Sequence, residues 1–179
     1  MSETDLARKA AAGDGDAFGE LVQRHAAVAR RLARAALQDP DDADDAVQDA
    51  FLLAWRNLAS FDSERPFAPW LMRIVLNAAA DLRRRRKVRR VEPLMDNVPG
   101  RGSPEAETDK VLFNQRFKEA LATLPERQRV AVVMFDAEGF EHSEIAAVLG
   151  VPVGTVRSDV FHARRALRKV LGAFHEGSP

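Results

Sequence analysis

The chain contains no cysteine, which excludes a disulfide framework and any thiolate metal site. It has no net charge either: 27 basic residues balance 27 acidic ones, so no global field marks it as a nucleic-acid binder. Long apolar runs are missing. The first eighteen residues, MSETDLARKAAAGDGDAF, lack the apolar core of a signal peptide, and no later segment approaches membrane-spanning length. A cytoplasmic protein with no membrane insertion is expected. Catalytic signatures are missing too. The four histidines, His25, His142, His162 and His175, are scattered, and no pair has helical metal-ligand spacing. The aspartate cluster lacks the turn glycine and closing glutamate of a calcium loop. Neither a Gly-rich phosphate loop nor a Ser/His/Asp arrangement occurs. These absences point away from an enzyme, and no cofactor or metal is implied.

What the chain does have is charge segregated by position. From Arg83 to Arg90, RRRRKVRR, seven of eight residues are basic, while Asp39 to Asp45, DPDDADD, holds five aspartates. Separate positive and negative surfaces suit two different macromolecular partners.

Helical periodicity fills most of the rest, and β-alternation is sustained nowhere. A short helix is expected over about 5–12. After GDGDAF, where Asp16 can cap, Phe18, Leu21, Val22, Val28 and Leu32 supply a second core face. A third helix carries Ala43, Ala46, Val47, Ala50, Phe51, Ala54, Trp55 and Leu58 on one stripe, with aspartates complementing its positive N-terminus. The loop ASFDSERPF leads to a fourth helix over about 69–87, with Trp70, Leu71, Ile74, Val75, Ala78 and Leu82 inward. Residues 92–106, EPLMDNVPGRGSPEA, hold three prolines and two glycines without periodicity and read as a flexible linker. Fully extended, such a segment reaches about 50 Å.

The most informative segment is the last third, Leu124 to Leu171. It reads as three short helices ending in a helix-turn-helix, with Gly150 where one helix must stop and Pro152 where the next can start. Val156, Val160, Ala163, Leu167 and Val170 recur at spacings of 4, 3, 4 and 3, one buried stripe. Ser158, His162, Arg165 and Lys169 fall on the opposite face. A helix anchored by one face and offering cations and small donors on the other suits a DNA major groove.

These segments, in this order, closely resemble a group 4, or extracytoplasmic-function, sigma factor of bacterial RNA polymerase. DDADDAVQDAFLLAWRNLASFD resembles the family's second conserved helix, and RPFAPWLMRIVLNAAADLRRRR its promoter-melting, minus-ten-reading helix. LPERQRVAVVMFDAEGFEHSEIAAVLGVPVGTVRSDVFHARRAL resembles the domain that reads the minus-thirty-five element. The resemblance implies an all-α fold of two small helical domains, a sigma region 2 bundle over 1–91 and a region 4 helix-turn-helix over 108–173. A linker over 92–107 and a short tail over 174–179 complete it. It also implies an initiation factor that binds core polymerase, directs it to promoters and aids opening. The implied partners are the beta-prime and beta subunits of core RNA polymerase, promoter DNA and an anti-sigma factor.

Residue by residue, the resemblance offers Asp44, Asp45, Gln48, Asp49 and Arg56 to polymerase. Their plain alternative is a solvated, capped helix start. Phe61, Arg65, Phe67, Arg73, Asn77, Asp81 and Arg84 would handle minus-ten DNA, with ring or guanidinium stacking on an unstacked base. Phe61 and Phe67 fit equally as staples against the core. Arg83, Arg85, Arg86 and Lys87 are candidate phosphate contacts. Ser143, Glu144, Thr155, Arg157, Ser158, Phe161, His162 and Arg165 would meet minus-thirty-five DNA. Asp159 departs from the family pattern, where arginine is common. An aspartate facing DNA repels phosphate unless it points away or accepts from a cytosine amino group. Two other readings remain: a sigma-like mimic that sequesters an anti-sigma factor, and a stand-alone helix-turn-helix regulator.

Overall fold

The computed structural model describes residues 1–89 and 109–175, all-α with no strand among them. The expected linker lies outside the described residues, as does the tail beyond 175. The first half contains α1 (Glu3–Ala11), α2 (Gly15–Leu37), α3 (Pro40–Asn57), a 3₁₀ turn (Leu58–Ser60) and α4 (Phe67–Arg89). The second half contains α5 (Asp109–Ala122) and α6 (Glu126–Val132), which runs into a π turn (Val133–Ala137). It closes with α7 (His142–Leu149) and α8 (Val153–His175), so the last helix takes in two residues expected in the tail.

Short polar side chains start the first three helices. The Ser2 hydroxyl accepts from Asp5 N–H at 3.1 Å, and one Asp14 carboxylate oxygen accepts from Asp16 and Ala17 N–H, both at 3.0 Å. Asp14 therefore caps α2, not the expected Asp16, because the chain turns helical already at Gly15. Asp39 caps α3 at Asp42 N–H (3.0 Å), with Pro40 at the first helical position. Gly150 ends α7 as expected, at φ 66°, a left-handed conformation that glycine adopts without strain. Gln38 ends α2 at φ 63° with no such exemption.

Helices α2, α3 and α4 pack on one another, with α1 laid across α2. Their core is Leu6, Leu21, Ala29, Leu32, Ala43, Ala50, Ala54, Leu58, Leu71 and Val75. In the second half, α5, α6 and α7 each pack on α8. Two stripe positions turn outward: Trp55 is 40% exposed and Val170 46% exposed. Trp55 keeps one tilted contact with Phe18 of α2, ring centres 5.0 Å apart. Conversely, α4 is buried on more than one side. Met72 and Ala79 are enclosed as well, and α7 of the second half packs on this helix. Val130, Ala131, Met134, Ile145 and Val148 thus join one apolar core with α2 and α4, while Ala120, Leu124, Val132, Ala163 and Leu167 form a separate cluster.

Candidate nucleic-acid interface

The outward face of α8 is built as expected. Val156, Val160 and Ala163 are buried, which leaves Arg157, Ser158, Phe161, His162 and Arg165 exposed together. Phe161 is 57% exposed and sits edge-on to His162. An exposed ring of this kind can contact a thymine methyl in a major groove. Arg157 and Arg165 have no ion pair among the described residues, so both guanidinium forks are available. Thr155 lies half-buried in the first turn of the helix. On α7, Ser143 is exposed, whereas the Glu144 carboxylate accepts from Glu141 N–H at 2.9 Å and caps its own helix.

Asp159 points away from this face. It is 4% exposed, and its two oxygens accept from Arg127 Nε at 2.6 Å and a terminal nitrogen at 3.3 Å. The pair ties α8 to α6. Those hydrogen bonds also strengthen Arg127's hold on its proton. A second tie joins the π turn: Asp136 accepts from Arg164, whose guanidinium lies 5.1 Å from the Phe135 ring centre. Asp159 therefore holds α8 on α6 and adds no charge to the exposed face of the helix.

The first half is less open than its sequence pattern implies. Arg73 and Asn77 are exposed on α4, and Asp81 pairs with Arg84 beside them. Phe67 is only 2% exposed and Phe61 9%; with Trp70 they form a cluster with ring centres 4.9–5.5 Å apart. His25, itself buried, closes that cluster against Phe67 and lies 3.3 Å from Glu3. Both phenylalanines thus occupy the staple position here and present no open face to a base. Arg65 is exposed in the loop before α4, 3.4 Å from Asp62.

The basic run is largely engaged by carboxylates. Arg86 sits against Asp42, Arg85 lies 3.7 Å from Asp49, and Arg83 pairs with Glu126 of the second half. Lys87 is exposed. Arg86 and Asp42 clamp the end of α4 to the start of α3, and Asp42 is only 6% exposed. Burial raises the Asp42 pKa above the ordinary 3.8; Arg86 opposes the shift, and Asp39, Asp45 and Asp41 reinforce it. The folded chain then holds this proton more tightly than the unfolded chain does. Its contribution is complete below the unfolded value and is lost as pH rises through the raised folded one. Asp42→Asn should therefore gain stability relative to the parent as pH rises from about 4 to about 7, read by urea unfolding. A difference that stays flat with pH would contradict this.

On α3, Asp44, Asp45, Gln48, Asp49 and Arg56 are all exposed, and Asp44 lies 3.7 Å from Arg30. Among them stands a residue that the periodicity did not single out. Leu52 is 53% exposed, one turn from Gln48, Asp49 and Arg56, with Leu53 and Trp55 beside it at 39% and 40%. An apolar centre inside a polar ring is the anatomy of a protein-binding patch. Its signal was an apolar residue off the buried stripe. An apolar groove along α8, about 530 Å³, is lined by Leu167, Leu171 and Gly172 and flanked by Arg164 and Arg168.

Two family models match the chain: sigma-70 region 2 over residues 21–89 and sigma-70 region 4 over residues 114–167. The ECF RNA polymerase sigma factor SigM of Mycobacterium tuberculosis is 40% identical over 176 residues, 98% of this chain and 88% of that protein. Among solved structures, CnrH in complex with the cytosolic domain of CnrY aligns with a TM-score of 0.72 at 34% identity, covering 96% of this chain and 97% of that one. The sigma factor RpoE of Bartonella quintana, in complex with the anti-sigma factor NepR, aligns with a TM-score of 0.70 at 29% identity, covering 87% and 96%.

Proposed function

The chain belongs to the extracytoplasmic-function sigma factors of the sigma-70 family, and from that premise we propose which of its surfaces carry each step of promoter use. It is an alternative sigma factor that directs RNA polymerase to promoters, an initiation factor in kind. Among the described residues no helix is long and apolar enough to cross a membrane, in keeping with work on polymerase inside the cell.

The α3 patch centred on Leu52 and ringed by Asp45, Gln48, Asp49 and Arg56 is assigned to the beta-prime subunit, where the carboxylates steer the encounter. The groove at Leu167 and Leu171 is on offer to the beta subunit. Arg157, Ser158, Phe161, His162 and Arg165 read the minus-thirty-five element in the major groove, with Ser143 and Thr155 toward the backbone. Arg73, Asn77 and Arg84 meet the minus-ten element, Asn77 supplying both donor and acceptor to a base edge. Arg83, Arg85, Arg86 and Lys87 add charge against phosphate. The family's anti-sigma partners extend to this chain as a further expectation.

The observation that carries the assignment is the α8 face, where five groove-suited side chains stand exposed over a buried stripe while the one aspartate turns inward. Run-off transcription with purified core polymerase tests it, on promoters selected from genomic fragments. Protein-dependent initiation is expected, and Arg157→Ala with Arg165→Ala should lower it by about tenfold or more. Failure to bind core polymerase would favour the mimic or the stand-alone regulator.

A further inference from the structure

Arg164 is exposed on α8, next to Arg165, yet its guanidinium is turned back on the π turn. Its Nε donates to one Asp136 carboxylate oxygen at 2.9 Å, and a terminal nitrogen donates to the other. The guanidinium carbon lies 5.1 Å from the Phe135 ring centre, within cation–π range. That ring in turn meets the His142 imidazole, with centres 4.2 Å apart and 31° between the planes. His142 is the first residue of α7, and the exposed Ser143 follows it. One stack of side chains thus runs from α8 through the π turn to the start of α7.

Phe135 and Asp136 are neighbours in the π turn, where the Glu138 N–H reaches back to Val133 O at 3.2 Å. Such turns are rare and recur at functional sites. Side chains adjacent on a regular α-helix point about 100° apart and do not face one another. Here both meet Arg164, which grips the turn by a ring and a carboxylate at once. The grip adds little stability, because the Arg164 and Asp136 side chains are 48% and 39% exposed and such pairs are weak. What it fixes is geometry. A guanidinium fork on a carboxylate sets direction as well as distance. The Arg127–Asp159 pair holds α8 on α6 more than a turn earlier, and two ties at different points oppose rotation of α8 about its axis. Base-edge contacts need their side chains held to about 0.5 Å.

We propose that Arg164 is a positioning residue for reading the minus-thirty-five element: with Asp136, Phe135 and His142 it sets α7 on α8, so that Ser143 and the α8 face meet the DNA together. This role rests on the assignment of that face to minus-thirty-five DNA. The competing role for Arg164 is a direct phosphate contact. The two roles part at Asp136. If Arg164 bound phosphate, Asp136 would compete for it, and Asp136→Ala would tighten binding to any sequence with preference intact. In a positioning pair, loss of either member loosens the same geometry and erodes preference.

Holoenzyme formed from core polymerase and full-length protein is measured on a selected promoter and on the same promoter with its minus-thirty-five element scrambled. The parent's preference should fall about fivefold in Arg164→Ala and by the same factor in Asp136→Ala. Arg164→Lys should not restore it, since an ammonium keeps the charge and lacks the fork. Arg164→Asp with Asp136→Arg should recover part of it; because preference is a ratio, altered charge near the backbone cancels. Tm should move by no more than about 2 °C. In the free variants, hydrogen exchange across α7 should quicken about threefold or more. Intact preference in Asp136→Ala, recovery in Arg164→Lys, or a salt slope lowered by about one in Arg164→Ala overturns the positioning role. So does unchanged exchange in α7. A parent with no preference between the two templates overturns the minus-thirty-five assignment, and exchange alone then decides whether the stack holds α7 on α8.

Discussion

Asp159→Arg is expected to unfold the second half more readily and not to strengthen promoter binding. The family resemblance invites the opposite, since the pattern it implies has arginine at this position. In the structure the aspartate is 4% exposed, accepts two hydrogen bonds from Arg127 and is neighboured along α8 by the buried Val156, Val160 and Ala163. An arginine there would bring a second cation against Arg127 and place its charge in a packed layer. Arg127 itself is largely exposed, so the loss comes from forcing a longer, unpaired cation into the packed site that the aspartate fills. For a chain of this size a fall in Tm of roughly 5 °C is expected. Thermal unfolding of the full-length variant checks it, and the exchange Arg127→Asp with Asp159→Arg should recover much of the loss. An unchanged Tm with tighter DNA binding would instead place Asp159 at the groove.

The second large effect is on polymerase. Leu52→Asp should weaken core binding by about thirtyfold, the factor that corresponds to a 2 kcal/mol hot spot, while leaving Tm unchanged. Leu52 is 53% exposed and contributes little to the core, so its loss is not a folding defect. What it loses is the apolar centre of a patch whose rim is charged, and a carboxylate added beside Asp45 and Asp49 also crowds like charge. Titration of labelled protein with core polymerase, alongside a melting curve, separates the two readings. Equal affinity for parent and variant would remove α3 as the docking face.

Much of this was legible in the chain because it is written in local terms. Periodicity located the helices, Gly150 and Pro152 marked the turn of the helix-turn-helix, and the outward face of α8 follows from its buried stripe. What was not legible depends on which surfaces meet. Met72 and Ala79 are buried, and α7, more than sixty residues away, packs on α4; no pattern within α4 announces that. The arginines of 83–86 read as a block of positive charge, yet each faces a carboxylate, three of them from other helices. Phe61 and Phe67 were open between base contact and core staple; their mutual packing with Trp70 and His25 settles their place in this state. Asp159 was ambiguous because helical phase alone cannot say that Arg127 waits on the neighbouring helix.

The Arg85–Asp49 contact carries a thermodynamic corollary. At 3.7 Å between half-exposed side chains it is weak and readily exchanged. Its two members are assigned to different ligands, the carboxylate to polymerase and the guanidinium to phosphate. A protein that engages Asp49 releases Arg85, and a phosphate that takes Arg85 releases Asp49. By linkage the two affinities must then rise together by one common factor. The sigma factor would hold DNA more firmly once polymerase is aboard, and polymerase more firmly once DNA is found.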